Sequence, residues 1–146
     1  MLECHIICEA HMSAKSNLLL ALILVSGFVA PAAGAVERGS AGLIETPFVA
    51  RNSAQREISC AVSLAHWYSA ELGRAAPGAE VAVSFWRDPA NGTLYLLNET
   101  GDRMAVQMTW CGFAGASWES RSVVTLAQGK PADLTCVSGT DRLVCR

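Results

Sequence analysis

Large and small, or apolar and polar, side chains alternate with a period of two in several separate stretches of this chain, and turn-forming residues cut between them. The first stretch is ISCAVSLAHWYS, residues 58–69. Ile58, Cys60, Val62, Leu64, His66 and Tyr68 share one parity, and Ser59, Ala61, Ser63, Ala65, Trp67 and Ser69 the other. Period two over this length predicts a strand with two unlike faces. A helix over residues 53–72 is the rival, because Ala, Gln, Glu and Leu are good helix formers. The alternation favours the strand.

The same pattern returns in VAVSFWR (81–87), TLYLLN (93–98) and RMAVQMTWC (103–111), and the shorter WESRSVVTLA (118–127), DLTCV (133–137) and RLVC (142–145) extend the series. GRAAPGAE (73–80), DPANG (88–92) and ETGD (99–102) are the breaks. Pro presets φ there, and Asn-Gly tolerates positive φ. Short strands with turn signals every 8–12 residues or so predict an all-β fold, a small antiparallel sandwich or barrel of about six or seven strands.

Upstream, MSAKSNLLLALILVSGFVAPAAGA (12–35) reads as a signal peptide. Lys15 supplies the positive charge, Leu18 to Ala30 the apolar core, and Ala33-Gly34-Ala35 a small-x-small cleavage site. Acidic Glu3 and Glu9 do not suit a leader, which points to Met12 as the true start. The apolar run is about 13 residues, short of the roughly 20 that span a bilayer. The expected mature chain begins near Val36 and carries no membrane anchor. Residues 36–57 divide into a flexible lead, VERGSAG, and LIETPFVAR, an edge strand because Pro47 cannot donate to a central ladder. Residues 58–146 are the β-domain proper.

Cleavage would remove Cys4 and Cys8 and leave Cys60, Cys111, Cys136 and Cys145. An even set in an exported chain predicts two disulfides. Folding CVSGTDRLVC (136–145) as a hairpin sets Cys136 opposite Cys145, and Cys60 and Cys111 then pair by elimination. Downstream of the leader the basic residues are all Arg apart from Lys130, and Ala is abundant. Such usage fits a GC-rich bacterial genome, hence a periplasmic or secreted address. Charge is nearly balanced, at −2 for the whole chain, without runs of one sign. This argues against nucleic acid as a partner.

His66 is the only histidine beyond the leader, so a zinc site on two or three His ligands cannot form within one chain. No metal or cofactor is expected. A Ser-His-Asp triad would need His66 and distant partners, and no G-x-S-x-G turn accompanies it; His66 reads as structural. No C-x-x-C redox pair is present. Glu71, Glu80, Glu99 and Asp102 could supply paired carboxylates, but no spacing singles out a pair. Asn91-Gly92-Thr93 and Asn98-Glu99-Thr100 are glycosylation tripeptides by pattern and turns by chemistry. A calcium loop starting at Asp88 fails because Ala90 stands where an oxygen ligand is needed.

One oddity remains. Ser59, Ala61, Ser63 and Ala65 run up to Trp67, and Ala82 and Ser84 run up to Trp86. A solvated sheet face normally carries charge or bulk, so something should cover this lane. Either LIETPFVAR or the opposite sheet packs on it, or a partner does, with Trp67 and Trp86 as ligand-binding anchors. In outline, a short exported β-domain with two disulfides resembles the periplasmic lysozyme inhibitors, though no inhibitor motif carries over and fold analogy is a weak warrant for function. The expected function is non-enzymatic binding of an envelope protein or polysaccharide. A small cell-wall hydrolase using acidic residues, and a structural or stress-related periplasmic protein, are the alternatives.

Overall fold

In the computed structural model, which describes residues 37–126 and 131–146, each alternating stretch contributes at least one strand. There are nine strands: β1 (Ile44–Asn52), β2 (Ile58–Leu64), β3 (Tyr68–Ala75), β4 (Glu80–Arg87), β5 (Leu94–Leu97), β6 (Arg103–Phe113), β7 (Ser122–Val124), β8 (Ala132–Ser138) and β9 (Leu143–Cys145). No helix occurs among the described residues, and so none there is long and apolar enough to cross a membrane. The expected leader and its cleavage site lie outside the described residues.

Six or seven antiparallel strands were expected, and the sheet is instead nine-stranded and mixed. Its order is β3-β2-β6-β5-β4-β1-β8-β9, with β7 also on β6. The two additional strands are β1, from LIETPFVAR ahead of the β-domain proper, and β3, because ISCAVSLAHWYS supplies two strands in place of one. The mixed character comes from β1, which pairs antiparallel with β4 and parallel with β8. Parallel neighbours are never joined by a tight turn, so no local signal announces them.

ISCAVSLAHWYS is not one strand. β2 ends at Leu64, Ala65 to Trp67 turn the chain, and β3 starts at Tyr68, with Leu64 opposite Tyr68 in register. Alternation ran on across the hairpin because both arms have the same period and the turn contains no Gly, Asn or Pro. LIETPFVAR forms β1, which from Phe48 onward has β4 on one side and β8 on the other. Pro47 falls one residue before the β8 pairing starts, where its missing N–H costs the ladder nothing. Residues 37–42, from the lead expected to be flexible, are tied to the start of β6: Arg103 donates to the carbonyls of Gly39 (2.9 Å) and Ala41 (2.6 Å), and Arg38 donates to Asp102 (2.7 Å) just before the strand.

β6 is the strand on which the fold divides. One edge pairs with β2 over most of its length. The other edge takes β5 at Arg103–Ala105 and β7 at Thr109–Cys111. The sheet therefore splits along that edge and curls, and β9 returns to the far side: Leu143 N–H donates to Ser120 O (2.8 Å) and Cys145 N–H to Ser122 Oγ (3.0 Å). Inward parity supplies the core of Phe48, Ala50, Ile58, Val62, Leu64, Val81, Phe85 and Leu143. Phe48 and Phe85 meet edge to face at 5.9 Å, a favoured aromatic geometry.

Both disulfides are rungs of the sheet. Cys60 stands opposite Cys111 across β2 and β6, and Cys136 opposite Cys145 across β8 and β9; both pairs are bonded. Cys60, Cys111 and Cys136 are fully buried and Cys145 is partly exposed. The protein is a disulfide-bonded all-β domain.

Candidate functional site

Only the Ser59–Ala61 end of the lane of small residues is covered from within, by a segment other than the two anticipated; Ser63, Ala65 and Ser84 are half-buried and Ala82 is exposed. Ser59 and Ala61 are buried on β2, beside Gly112 and Trp110 of β6. Residues 114–121 fold back over this face. A Cβ at Gly112 would collide with the Ser117 carbonyl, so only glycine admits that approach. Trp118 meets Trp110 edge to face at 5.2 Å, and the Arg121 guanidinium lies 3.9 Å above Trp118. Ser59 Oγ also donates to Glu71 (3.3 Å). This end of the lane is closed by its own chain.

Trp67 and Trp86 are not brought together. β4 pairs with β1 and β5 rather than with β2 or β3. Trp86 stands half-buried on β4 opposite Tyr95 and Glu45, and Glu45 accepts from Ser84 Oγ at 2.5 Å. Trp67 sits in the β2–β3 turn, at the other end of the expected lane from Ser59. Its relative exposure is 102%, and that of Tyr68 is 60%.

The turn that carries Trp67 is built against local preference. His66 has φ 68° and Trp67 φ 65°, the two non-glycine residues with positive φ among those described. A left-handed residue with a Cβ costs roughly 1–2 kcal/mol, and Asn-Gly is the usual answer where two occur in succession. A strained, fully exposed indole contributes nothing to the core. Observed strain of this kind points to function.

Beside the turn lies an open groove of about 590 Å³, lined from β2, β3, β5 and β6. Leu64, Ala70, Leu96 and Met104 give it an apolar floor, Tyr68 forms one rim, and Asn98 to Thr100 form the opposite rim. Glu71 completes the wall. Its carboxylate accepts from Arg74 Nε at 2.9 Å, and this bond, more than the weaker one from Ser59, holds it below the usual carboxylate range. A carboxylate held ionised is a poor proton donor at neutral pH.

The opposite rim answers the question of the Asn-X-Thr tripeptides. Asn98 Oδ1 accepts from Thr100 N (3.0 Å) and Asp102 N (2.7 Å), and Gly101 takes φ 79°. Asn91 Oδ1 likewise accepts from Thr93 N (2.8 Å) and Asp88 Oδ1 from Ala90 N (2.8 Å). Both are side-chain-capped turns.

Sequence reasoning singled out Trp67 but missed Tyr68 and the groove. One signal was present: TLYLLN sets Leu96 and Leu97 side by side, so in a strand one of them must leave the core. Comparison with protein-family models, with curated proteins and with solved structures finds no match to this chain.

Proposed function

We propose that this chain is an exported, non-enzymatic binding domain that engages a protein of the cell envelope through the His66–Trp67–Tyr68 turn and the apolar groove beside it. Export is supported by the leader pattern of residues 12–35 and by two disulfides, which persist in oxidising compartments. The observation that carries the binding reading is Trp67, fully exposed on two successive strained residues. Tryptophan is enriched among interface hot spots, and ligand sites are mostly apolar concavities with a few polar groups at their edge. The floor of Leu64, Ala70, Leu96 and Met104 suits an apolar side chain of a polypeptide; a sugar would leave its hydroxyls unpaired there.

The test compares wild type with Trp67→Ala. The oxidised protein is immobilised and exposed separately to envelope protein and to envelope polysaccharide. Capture of a defined protein by wild type, weakened about 30-fold in Trp67→Ala, is the expected result, equivalent to roughly 2 kcal/mol. Thermal melts of the two should agree within about 0.5 kcal/mol, since an exposed side chain is removed. Capture of polysaccharide alone, or equal capture by both variants, sinks the reading.

A further inference from the structure

The two disulfides belong to different pairs of strands, β2–β6 and β8–β9, yet they meet in the core. The sulfur atoms of Cys111, Cys136 and Cys145 all lie within 4.8 Å of one another. Stabilising two strand pairs does not require this; any two rungs would serve. Only Cys145 has appreciable exposure, while Cys60, Cys111 and Cys136 have none. A disulfide is broken by a thiolate that reaches one of its sulfurs, so the Cys60–Cys111 bond is closed to solvent but not to Cys136.

We propose that the four cysteines form one thiol–disulfide relay, in which an external dithiol reduces Cys60–Cys111 by way of Cys136–Cys145. A thiolate of the dithiol attacks Cys145 Sγ, forming a mixed disulfide and releasing Cys136 as thiolate. The second thiol of the dithiol attacks its own sulfur in the mixed disulfide; the oxidised, cyclic dithiol departs and Cys145 is freed. Cys136 attacks Cys111 Sγ, making the Cys111–Cys136 bond and releasing Cys60. Cys145 then attacks Cys136 Sγ, restores Cys136–Cys145 and releases Cys111. In sum two electrons and two protons pass from the dithiol to Cys60–Cys111. The Cys60 rung holds β2, and the Trp67 turn follows β2 directly, so the relay would place that turn under redox control. The relay stands on the sulfur cluster alone and does not depend on the identity of the binding partner.

Two reciprocal variants test it. Cys145→Ser leaves a Cys136 thiol against Cys60–Cys111, and Cys60→Ser leaves a Cys111 thiol against Cys136–Cys145. After incubation at mildly alkaline pH, acid quenching and alkylation, peptide mapping should find Cys111–Cys136 linked in the first. In the second it should find Cys111 linked to Cys136 or to Cys145. Retention of only the remaining native bond in both variants overturns the relay. Should either variant fail to fold, the oxidised wild type is treated with one equivalent of dithiothreitol and quenched at intervals. The relay requires a Cys111–Cys136 species, with Cys60 and Cys145 free, that precedes the form in which Cys60 and Cys111 are both free; free Cys136 and Cys145, with Cys60–Cys111 untouched throughout, overturns it.

Discussion

Two turns adjoin the same groove, one through its residues Asn98 to Thr100 and the other through Leu64 and Tyr68 on either side of it, and they are made on opposite principles. The Asn98–Asp102 turn has an asparagine whose side-chain oxygen satisfies two backbone donors and a glycine at its left-handed position. The Ala65–Trp67 turn has histidine and tryptophan at its two left-handed positions, and the tryptophan touches solvent on every side. One turn is composed for its own stability. In the other the residues work against the backbone they sit on, which is what a side chain retained for an external contact looks like.

The largest expected effect comes from giving the second turn the chemistry of the first. His66→Asn combined with Trp67→Gly should stabilise the fold by about 1–3 kcal/mol, raising Tm by roughly 4–8 °C per kcal/mol in a domain of this size. The same variant should lose partner capture. A melting point unchanged or lowered would show that the turn carries no strain, and the contrast between the turns would collapse.

Damage to the well-made turn should act in the opposite direction and less strongly. Gly101→Ala keeps φ 79° with a Cβ attached, in space that is merely in contact with Gly39 N at 3.6 Å. Its cost is therefore conformational, about 1 kcal/mol. Asn98→Ala removes an acceptor used by two backbone donors at an exposed site and should also cost about 1 kcal/mol. Urea titrations would register both. A null result at Asn98 would mean that water replaces the side chain without loss.

The contrast also explains what the sequence disclosed. The ETGD turn was legible because Thr, Gly and Asp sit in it for local reasons, and so was the Cys136–Cys145 rung, where eight intervening residues hold a turn between two short strands. The Ala65–Trp67 turn was invisible because none of its residues prefers that backbone; alternation simply continued through it and made one strand out of two. The cover over Ser59 and Ala61 was legible as a need but not in identity. Trp118 reaches Trp110 only because Gly112 lets Ser117 come close, and that follows from a backbone approach rather than a pattern. The groove depends on β2, β3, β5 and β6 together, and no single segment of sequence contains it.

The smallest expected effect is electrostatic and separates the two rims by pH. Asp102 closes the Asn98 turn, accepting from Thr100 Oγ1 at 2.7 Å and Asn98 Nδ2 at 3.1 Å, with Arg38 at 2.7 Å on its other oxygen. The Thr100 hydroxyl first, then the Asn98 amide and then Arg38 hold its carboxyl below the ordinary value of 3.8. A carboxyl depressed in the folded state stabilises it fully above the unfolded value, and that contribution disappears as pH falls through the folded one. Acidification below about 4 should therefore loosen the Asn98 rim and leave the Trp67 turn, which has no carboxylate in its hydrogen bonding, unaltered. Carboxyl chemical shifts across the acid range would locate the Asp102 midpoint. Thr100→Val should move that midpoint upward more than Arg38→Ala does, because the hydroxyl is the larger influence and the guanidinium is exposed to solvent and screened by salt. If Arg38→Ala gave the greater displacement, the turn would be held by its link to the N-terminal segment, and its resemblance to a self-sufficient capped turn would be lost.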